Sequence, residues 1–313
     1  MLTIRAAAAS DDLAIAQVIC ATPSTWQPTA DEMRRARETF PPTLRCIALV
    51  AEQAGGVVGC ASLRNDPSTN EPSRWDASVY VVPLARRAGI GRRLAAALHA
   101  ALQPRASDTI LASTSSLDDA GEHFVQRLGA SLVEKRFESR LHPPAIDLTP
   151  HDQRTVALAQ AGITLTTLAQ LGAIADIEQQ LYQLEIDAML DEPTLLLGAP
   201  PSFTAWRDEY LGDNALDGVL VAIVGQQAVG LCAHATSGDT LYITTTAVAR
   251  SWRKHGIATA LKVASIAYAR QCGMDLRTFN AAANVGILRI NAALGFARVA
   301  THTRWRLQHD ATC

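Results

Sequence analysis

The chain has no excess of positive charge and no long apolar run. Among its 313 residues, 28 lysines and arginines face 30 acidic residues, so the formal net charge is −2. Such a chain has no basic field that would gather nucleic acid or an anionic membrane. The apolar stretch at 218–224 is short, and Asp11 and Asp12 interrupt the alanine-rich N-terminus, so neither a membrane span nor a signal peptide is predicted. We expect a cytoplasmic protein without nucleic-acid or membrane partners.

Cysteines at the spacing of a metal site are also missing. No two of the six cysteines form a C-x-x-C pair, which predicts reduced thiols, no disulfide framework and no metal. The composition, 48% hydrophobic and 19% charged over this length, favours two folded domains of ordinary size. Because there is no global positive field, any anionic ligand must be held by local geometry. That favours small phosphorylated molecules over polymers.

What is present is an internal duplication. The run WDASVYVV-PLARRAGIGRRL at 75–94 and the run LYITTTAV-ARSWRKHGIATAL at 241–261 share one pattern, which is a β-branched strand, a basic loop, Gly-Ile-Gly or Gly-Ile-Ala, and an alanine-rich helix. A second glycine follows the first after 40 positions in one copy (Gly89 to Gly129) and after 39 in the other (Gly256 to Gly295). Predicted hairpins precede both motifs, at 46–52 with 57–63 and at 218–224 with 228–235. We predict domains at 1–141 and 161–313, joined by a proline-rich linker at 142–160.

The repeated motif has the chemistry of a pyrophosphate site. In the second copy a strand at 243–248 breaks directly into a helix that starts near Gly256, and the first N–H groups of that helix have no partners. These donors lie at the positive end of the helix dipole, beside Arg253, Lys254 and His255, and an anion is stabilised there. The first copy repeats the arrangement with Arg86 and Gly89, and Ile90, Leu94, Leu98 and Leu102 form its core-facing stripe.

These residues resemble the signature (Arg/Gln)-x-x-Gly-x-(Gly/Ala) of the GNAT superfamily of N-acetyltransferases. It reads RRAGIG at 86–91 and RKHGIA at 253–258, and the match extends over nearly the whole chain. The resemblance implies an α/β (α+β) fold of two tandem GNAT domains, each a mixed sheet flanked by helices and splayed where the signature strand bulges. It also implies acetyl coenzyme A as acyl donor in the splay, and a small-molecule or peptide amine as acceptor. The oligomeric state and the identity of the amine stay open.

The resemblance assigns cofactor-binding residues in both copies. In the first copy they are Val79, Tyr80, Val81, Arg86, Arg87, Ala88, Gly89, Ile90, Gly91 and Arg92. In the second copy they are Thr246, Ala247, Val248, Arg253, Lys254, His255, Gly256, Ile257, Ala258, Thr259, Asn280 and Asn284. Asn284 is implied to bind the pantetheine arm, and it is equally suited to cap the last helix. Its counterpart in the first copy is Asp118.

The catalytic groups are harder to identify. Many members of the family place a tyrosine four residues before the second glycine to protonate the departing thiolate, but those positions hold Val125 and Asn291. A backbone N–H near Val248 or Val81 is expected to stabilise the oxyanion. Asp191 and Glu192 after the first helix of the second copy, and Asp76 on the first signature strand, are the candidate bases.

The second copy matches more of the cofactor-binding positions of the family than the first, so we expect transfer in the C-terminal domain. The alternative is a non-catalytic acyl-coenzyme A sensor or structural module with degenerate sites.

Overall fold

The chain folds into two compact units. The computed structural model describes residues 1–65, 71–193, 199–211 and 216–307. The N-terminal unit comprises Met1–Lys135 and the stretch that begins at Ala300, and the C-terminal unit comprises Arg136–Val299. Each unit combines a mixed β-sheet with helices, as predicted.

The N-terminal unit begins with β1 (Thr3–Ala6), α1 (Asp12–Cys20) and α2 (Ala30–Glu38). The next elements are β2 (Cys46–Gln53), β3 (Gly56–Asn65), β4 (Arg74–Val81), α3 (Ile90–Leu102), β5 (Thr109–Ser115) and α4 (Asp119–Arg127). The strands from β1 to β4 pair in an antiparallel meander, and β5 joins β4 in parallel. The predicted hairpin of 46–52 with 57–63 is confirmed within a few residues.

The C-terminal unit repeats this order after β6 (Ser131–Leu141) and α5 (Asp152–Gln160). Its elements are β7 (Ile163–Thr167), α6 (Ile177–Asp191), α7 (Phe203–Leu211), β8 (Leu220–Val224), β9 (Gln227–Ser237), β10 (Thr240–Val248), α8 (Ile257–Cys272), β11 (Asp275–Ala281) and α9 (Val285–Ala293). The strands β7 to β10 form an antiparallel meander, and β11 joins β10 in parallel.

The last strand of each unit's sheet comes from a part of the chain that the sequence analysis placed in the other domain. In the N-terminal unit the strand beside β5 is β12 (Ala297–Leu307), which pairs antiparallel with β5 from His302 to Leu307. In the C-terminal unit the strand beside β11 is β6, paired from Arg136 to Leu141. The compact units therefore assign residues 136–141 to the C-terminal unit and the stretch from Ala300 onward to the N-terminal unit. Both strands follow a Leu-Gly pair, so the sequence pattern alone did not distinguish their destinations.

The segment predicted as a linker, 142–160, packs against the C-terminal unit. Leu158 of α5 is buried in the core of that unit, and Ile146 and Leu148 pack against the same core. The Arg270 guanidinium donates hydrogen bonds to the carbonyl oxygens of Pro143 (2.9 Å) and Ile146 (2.6 Å). This segment is thus a fixed part of the C-terminal unit.

Each core is built on the helix that follows the signature loop. All four residues of the predicted stripe on α3 are buried, and on α8 Ile257 and Leu261 are buried. Two equivalent glycines allow these helices to approach the sheet. A β-carbon at Gly59 of β3 would lie 3.2 Å from Cδ1 of Leu94, and one at Gly230 of β9 would lie 2.9 Å from Cγ2 of Ile257. The first turns of α3 and α8 are therefore held close against the strand that precedes the signature strand in each unit.

Candidate active site

In both units the signature strand separates from its parallel neighbour halfway along its length. β4 pairs with β5 only from Arg74 to Ala77, and β10 pairs with β11 only from Thr240 to Ile243. The strand β10 also has a β-bulge between Ile243 and Thr245. The register of β4 on β3 has no such shift, so the expected bulge is found in the C-terminal unit and the N-terminal strand separates without one.

The separated halves expose backbone donors at equivalent places. The N–H of Ala249 donates to the carbonyl oxygen of Val229 on one side of the strand. Because successive N–H groups of a strand point to opposite sides, the N–H of Val248 points to the side where β10 has left β11. The same alternation applies to Val81, because the N–H of Val82 donates to Val58. These are the two residues at which the oxyanion donor was expected.

The loop after each signature strand places a helix N-terminus beside this opening. It contains a turn of 3-10 helix, then Arg87 (φ 67°) and Gly89 (φ 77°) in one unit, and Lys254 (φ 67°) and Gly256 (φ 85°) in the other. The first backbone bonds of the helices run from Arg93 to Gly89 and from Ala260 to Gly256. The three N–H groups before each bond thus have no acceptor within the helix. They belong to Ile90, Gly91, Arg92, Ile257, Ala258 and Thr259.

Such a row of free donors at a left-handed turn is suited to phosphate oxygens. Lys254, His255 and Arg87 flank the row as predicted, and all three are exposed. His255 Nδ1 lies 3.0 Å from the carbonyl oxygen of Arg253. The geometry therefore fits a pyrophosphate at both predicted loops.

The first arginine of each signature is hydrogen-bonded to groups of its own unit. Arg86 Nε donates to the carbonyl oxygen of Val81 (3.0 Å) while its other nitrogens hold the Asp118 carboxylate (2.7 Å). Arg253 Nε donates to the carbonyl oxygen of Val248 (3.1 Å) and its Nη2 holds Asp191 (2.6 Å). With these donors engaged, both arginines brace the loop against the end of the signature strand. Their predicted direct contact with the cofactor stays a prediction.

The three candidate bases are all ion-paired. Asp191 is held by Arg250 and Arg253, and these hydrogen bonds keep the pKa of its carboxyl well below the usual range. Glu192 pairs with Arg136 at 3.2 Å, and Asp76 pairs with Arg304. A carboxylate whose pKa is lowered in this way is a weak proton acceptor, which disfavours Asp191 as the base. The assignment of the base among Asp191, Glu192 and Asp76 stays a prediction.

The asparagines of the second cofactor segment have partners within the C-terminal unit. Asn284 caps α9, accepting a hydrogen bond from the N–H of Ile287 at 3.4 Å. Asn280 Oδ1 accepts from Asn291 Nδ2 at 2.8 Å. In the N-terminal unit Asp118 likewise caps α4, accepting from the N–H of Ala120. The capping role of Asn284 is therefore confirmed, and its contact with pantetheine stays a prediction.

An apolar pocket of about 150 Å³ lies in the N-terminal unit where β4 leaves β5. Most of its wall is hydrocarbon from these two strands, α3 and α4. Its lining includes Leu63, Val79, Tyr80, Ala95, Leu98, Thr114, Phe124 and Val125. Burial raises the pKa of the Tyr80 hydroxyl, so that group stays neutral near pH 7.

The equivalent positions of the C-terminal unit are polar. Counted from the signature glycine, Ala95 corresponds to Lys262 and Leu98 to Ser265. Counted from the end of the strand, Val79 corresponds to Thr246, and counted from the second glycine, Val125 corresponds to Asn291. Cys232 connects two of these residues, with its Sγ 3.2 Å from Ser265 Oγ and 3.5 Å from Thr246 Oγ1. We call Thr246, Lys262, Ser265 and Asn291 the polar groove positions.

Two cationic residues near the C-terminal site escaped the sequence analysis. Lys262 is fully buried, and a position-by-position alignment of the two repeats would have revealed it opposite Ala95. Arg154 lies on α5, in the segment taken for a linker. Its Nη1 is 3.1 Å from where a β-carbon on Gly256 would stand, so it adds a cation to the phosphate loop.

Over residues 1–65, 71–193, 199–211 and 216–307, no three His, Cys, Asp or Glu side chains are grouped to hold a metal ion. No helix of the same ranges is long and apolar enough to cross a membrane. Five cysteines are free thiols, and Cys313 lies outside the described residues.

Comparison with known proteins agrees with this geometry. A model of the GNAT acetyltransferase domain matches residues 45–129, and a model of the GNAT acetyltransferase family matches residues 179–296. No curated protein matches the chain.

Solved structures with the same fold cover nearly the whole chain. A GCN5-related N-acetyltransferase from Sphaerobacter thermophilus is 20% identical with a TM-score of 0.73, over 97% of this chain and 95% of that one. A tandem GNAT protein from the clavulanic acid biosynthesis pathway is 22% identical with a TM-score of 0.72, over 99% of both chains. With a signature loop, a separated strand pair and a family match in each half, the chain belongs to the GNAT superfamily of N-acetyltransferases, with two GNAT domains in tandem.

Proposed function

We propose that the chain transfers an acetyl group from acetyl coenzyme A directly to the amine of a small molecule or peptide, and that transfer takes place in the C-terminal unit. Each unit holds the pyrophosphate on its helix N-terminus and the pantetheine arm in the opening beside its signature strand. No metal takes part. The N–H of Val248 lies on the open edge of β10 and stabilises the oxyanion as the amine attacks the thioester.

The observation that supports the C-terminal unit is the chemistry of its groove. Transfer releases a thiolate and a proton, and both need polar groups nearby. The four polar groove positions, with Asn280 beside Asn291, supply hydroxyl, amide and ammonium groups. The matching positions of the N-terminal unit, Val79, Ala95, Leu98 and Val125, supply only hydrocarbon.

The N-terminal unit has a second candidate role, acyl-coenzyme A binding without transfer. Its pocket is apolar, and Asp76, the one acidic residue of its signature strand, is neutralised by Arg304. Such a site would hold a thioester in a mostly apolar wall, whose polar side chains include Tyr80, His99 and Thr114. In this role it would act as a sensor or as a structural partner of the C-terminal unit.

The test is coenzyme A release from acetyl coenzyme A across a panel of amino sugars, polyamines, amino acids and peptides. A matched pair of variants, Gly89→Glu and Gly256→Glu, then places one carboxylate at the same point of each phosphate loop. Both glycines have a positive φ, so the backbone strain of the two substitutions is comparable, about 1–2 kcal/mol. We expect Gly256→Glu to abolish turnover and Gly89→Glu to retain it. The reverse result would assign transfer to the N-terminal unit, and no release with any amine would favour a sensor.

A further inference from the structure

Lys262 is an anomaly in the C-terminal core. Its side chain is 0% exposed, and its ammonium finds no hydrogen-bond partner among the described residues. Lysines are almost never fully buried unless they are paired, because the effective penalty for taking an ion out of water is several kcal/mol. A folded protein that keeps such a group usually uses it.

Packing alone does not compensate this penalty. The Nζ of Lys262 lies 5.4 Å from the centroid of the Phe296 ring, and a desolvated cation–π contact is worth about 2 kcal/mol. Cys232 is the neighbour whose charge acts on the ammonium. Nearby polar groups therefore offset only part of the cost, and an additional partner is needed.

The position of Lys262 in the repeated pattern indicates where in the unit a partner for its ammonium would bind. Its counterpart Ala95 lines the N-terminal pocket together with residues of the separated strands. In the C-terminal unit, Cys232 contacts both Thr246 on the signature strand and Ser265 on α8. The N–H of Phe296, whose ring lies by the ammonium, donates to the carbonyl oxygen of Asn291. Lys262 therefore corresponds in the repeat to a pocket-lining residue of the N-terminal unit and lies near Cys232 and Phe296. The proposed function places the acyl end of the cofactor at this position.

We propose that Lys262 donates a proton to the coenzyme A thiolate released in the C-terminal unit, an inference that rests on the proposed function. The amine nitrogen forms a bond to the thioester carbon, and the carbon–sulfur bond breaks with its electron pair on sulfur. The Lys262 ammonium gives its proton to that sulfur, and the proton lost by the amine leaves with water. Asn291 stands where the family's tyrosine is expected, so Lys262 fills the missing role.

The electrostatics of the groove suit this transfer. Burial lowers the pKa of Lys262 to about 8, against the opposing effect of Cys232. Thiols titrate near pH 8.5 in water, so a proton moves between the two groups with little driving force either way, which favours general acid catalysis. Among the described residues, Cys232 acts on the ammonium and His234 in turn contacts Cys232. Burial alone would raise the pKa of the Cys232 thiol, but His234 and Lys262 lower it to about 7.

The first test needs no amine. Ultraviolet absorbance reports the ionisation of the coenzyme A thiol, and bound desulfo-coenzyme A provides the blank for protein cysteines. The N-terminal pocket is closed by Ala95→Leu so that only the C-terminal site is loaded. We expect the bound thiol to titrate at a lower pH than free coenzyme A, close to the pKa of about 8 of Lys262, and Lys262→Met to reverse this shift. Equal titration of free and bound thiol would overturn the assignment to Lys262 and leave the proposed function intact, whereas failure to bind coenzyme A would overturn both.

The second test uses an amine that gives turnover. Lys262→Met keeps the length and most of the volume of the side chain, and its unfolding midpoint serves as the folding control. We expect kcat to fall roughly 100-fold with the KM for acetyl coenzyme A changed less than about twofold, and the pH profile to lose its limb near pH 8. A raised KM with unchanged kcat would show that Lys262 only fills space, and the proposal would then be wrong. If the variant does not fold, the bound-thiol titration of the Lys262 protein still decides.

Discussion

The pocket in the N-terminal unit gives the sharpest prediction, because filling it should separate stability from binding. Ala95 lies on α3 and faces the pocket of about 150 Å³. Ala95→Leu adds three carbons to this apolar space. Each buried methylene stabilises by about 0.8 kcal/mol, and imperfect fit reduces the gain. We therefore expect the free energy of unfolding of this unit to rise by about 1–2 kcal/mol.

The same substitution should remove a ligand. The added carbons occupy the space proposed for the pantetheine arm, so calorimetry should show the capacity for coenzyme A falling from two molecules per chain to one. Ala100→Leu is the matched control, because it adds the same atoms to an exposed position of the same helix and should leave the capacity at two. Undiminished binding by a folded Ala95→Leu protein would refute the placement of the cofactor in this pocket.

Three further predictions concern residues that support the two units and their phosphate loops. Arg5 holds the pKa of Asp11 at about 2, so this pairing stabilises the N-terminal unit above about pH 4 and is lost as the pH falls toward 2; Asp11→Asn should remove that dependence in denaturant unfolding curves measured across this range. Gly230→Ala should destabilise the C-terminal unit by about 1–3 kcal/mol through overpacking, with Gly59→Ala as the matched change, and a neutral effect in thermal unfolding would contradict the close helix approach. Arg154→Gln should weaken coenzyme A binding at the C-terminal site several-fold in calorimetry and leave the N-terminal site unchanged; equal loss at both sites would exclude a local contact.

Features that depend on local pattern were predictable from the sequence. A β-branched strand followed by a basic loop and an alanine-rich helix predicts the signature unit, because each element is set by residues within one turn or one strand. The loops indeed begin their helices after Gly89 and Gly256, both at positive φ. The destination of β6 and β12 was not predictable, because strand partners lie far along the chain and the two candidate strands have similar patterns.

The partners of the site's side chains also could not be predicted from the sequence. Arg253 was assigned to the phosphate because it is basic and adjacent, but Asp191, 62 positions earlier in the chain, engages its guanidinium. The same ion pair lowers the pKa of the Asp191 carboxyl, and its role as base stays a prediction. The partner of each side chain lies far along the chain, so only folding brings the two together.

The two units also show why the signature predicts binding better than transfer. The proposed phosphate contacts would use backbone N–H groups, a left-handed turn and a helix dipole, and these require only glycine and a small residue at fixed spacing. Both copies meet that requirement, whatever surrounds it. Transfer would depend instead on side chains behind the loop. At these positions the N-terminal copy has Ala95, Leu98 and Val125, and the C-terminal copy has Lys262, Ser265 and Asn291. The chain therefore keeps the signature loop in both copies while the polar groove positions occur only in the C-terminal one, and this difference is the reason that the proposed function places transfer there.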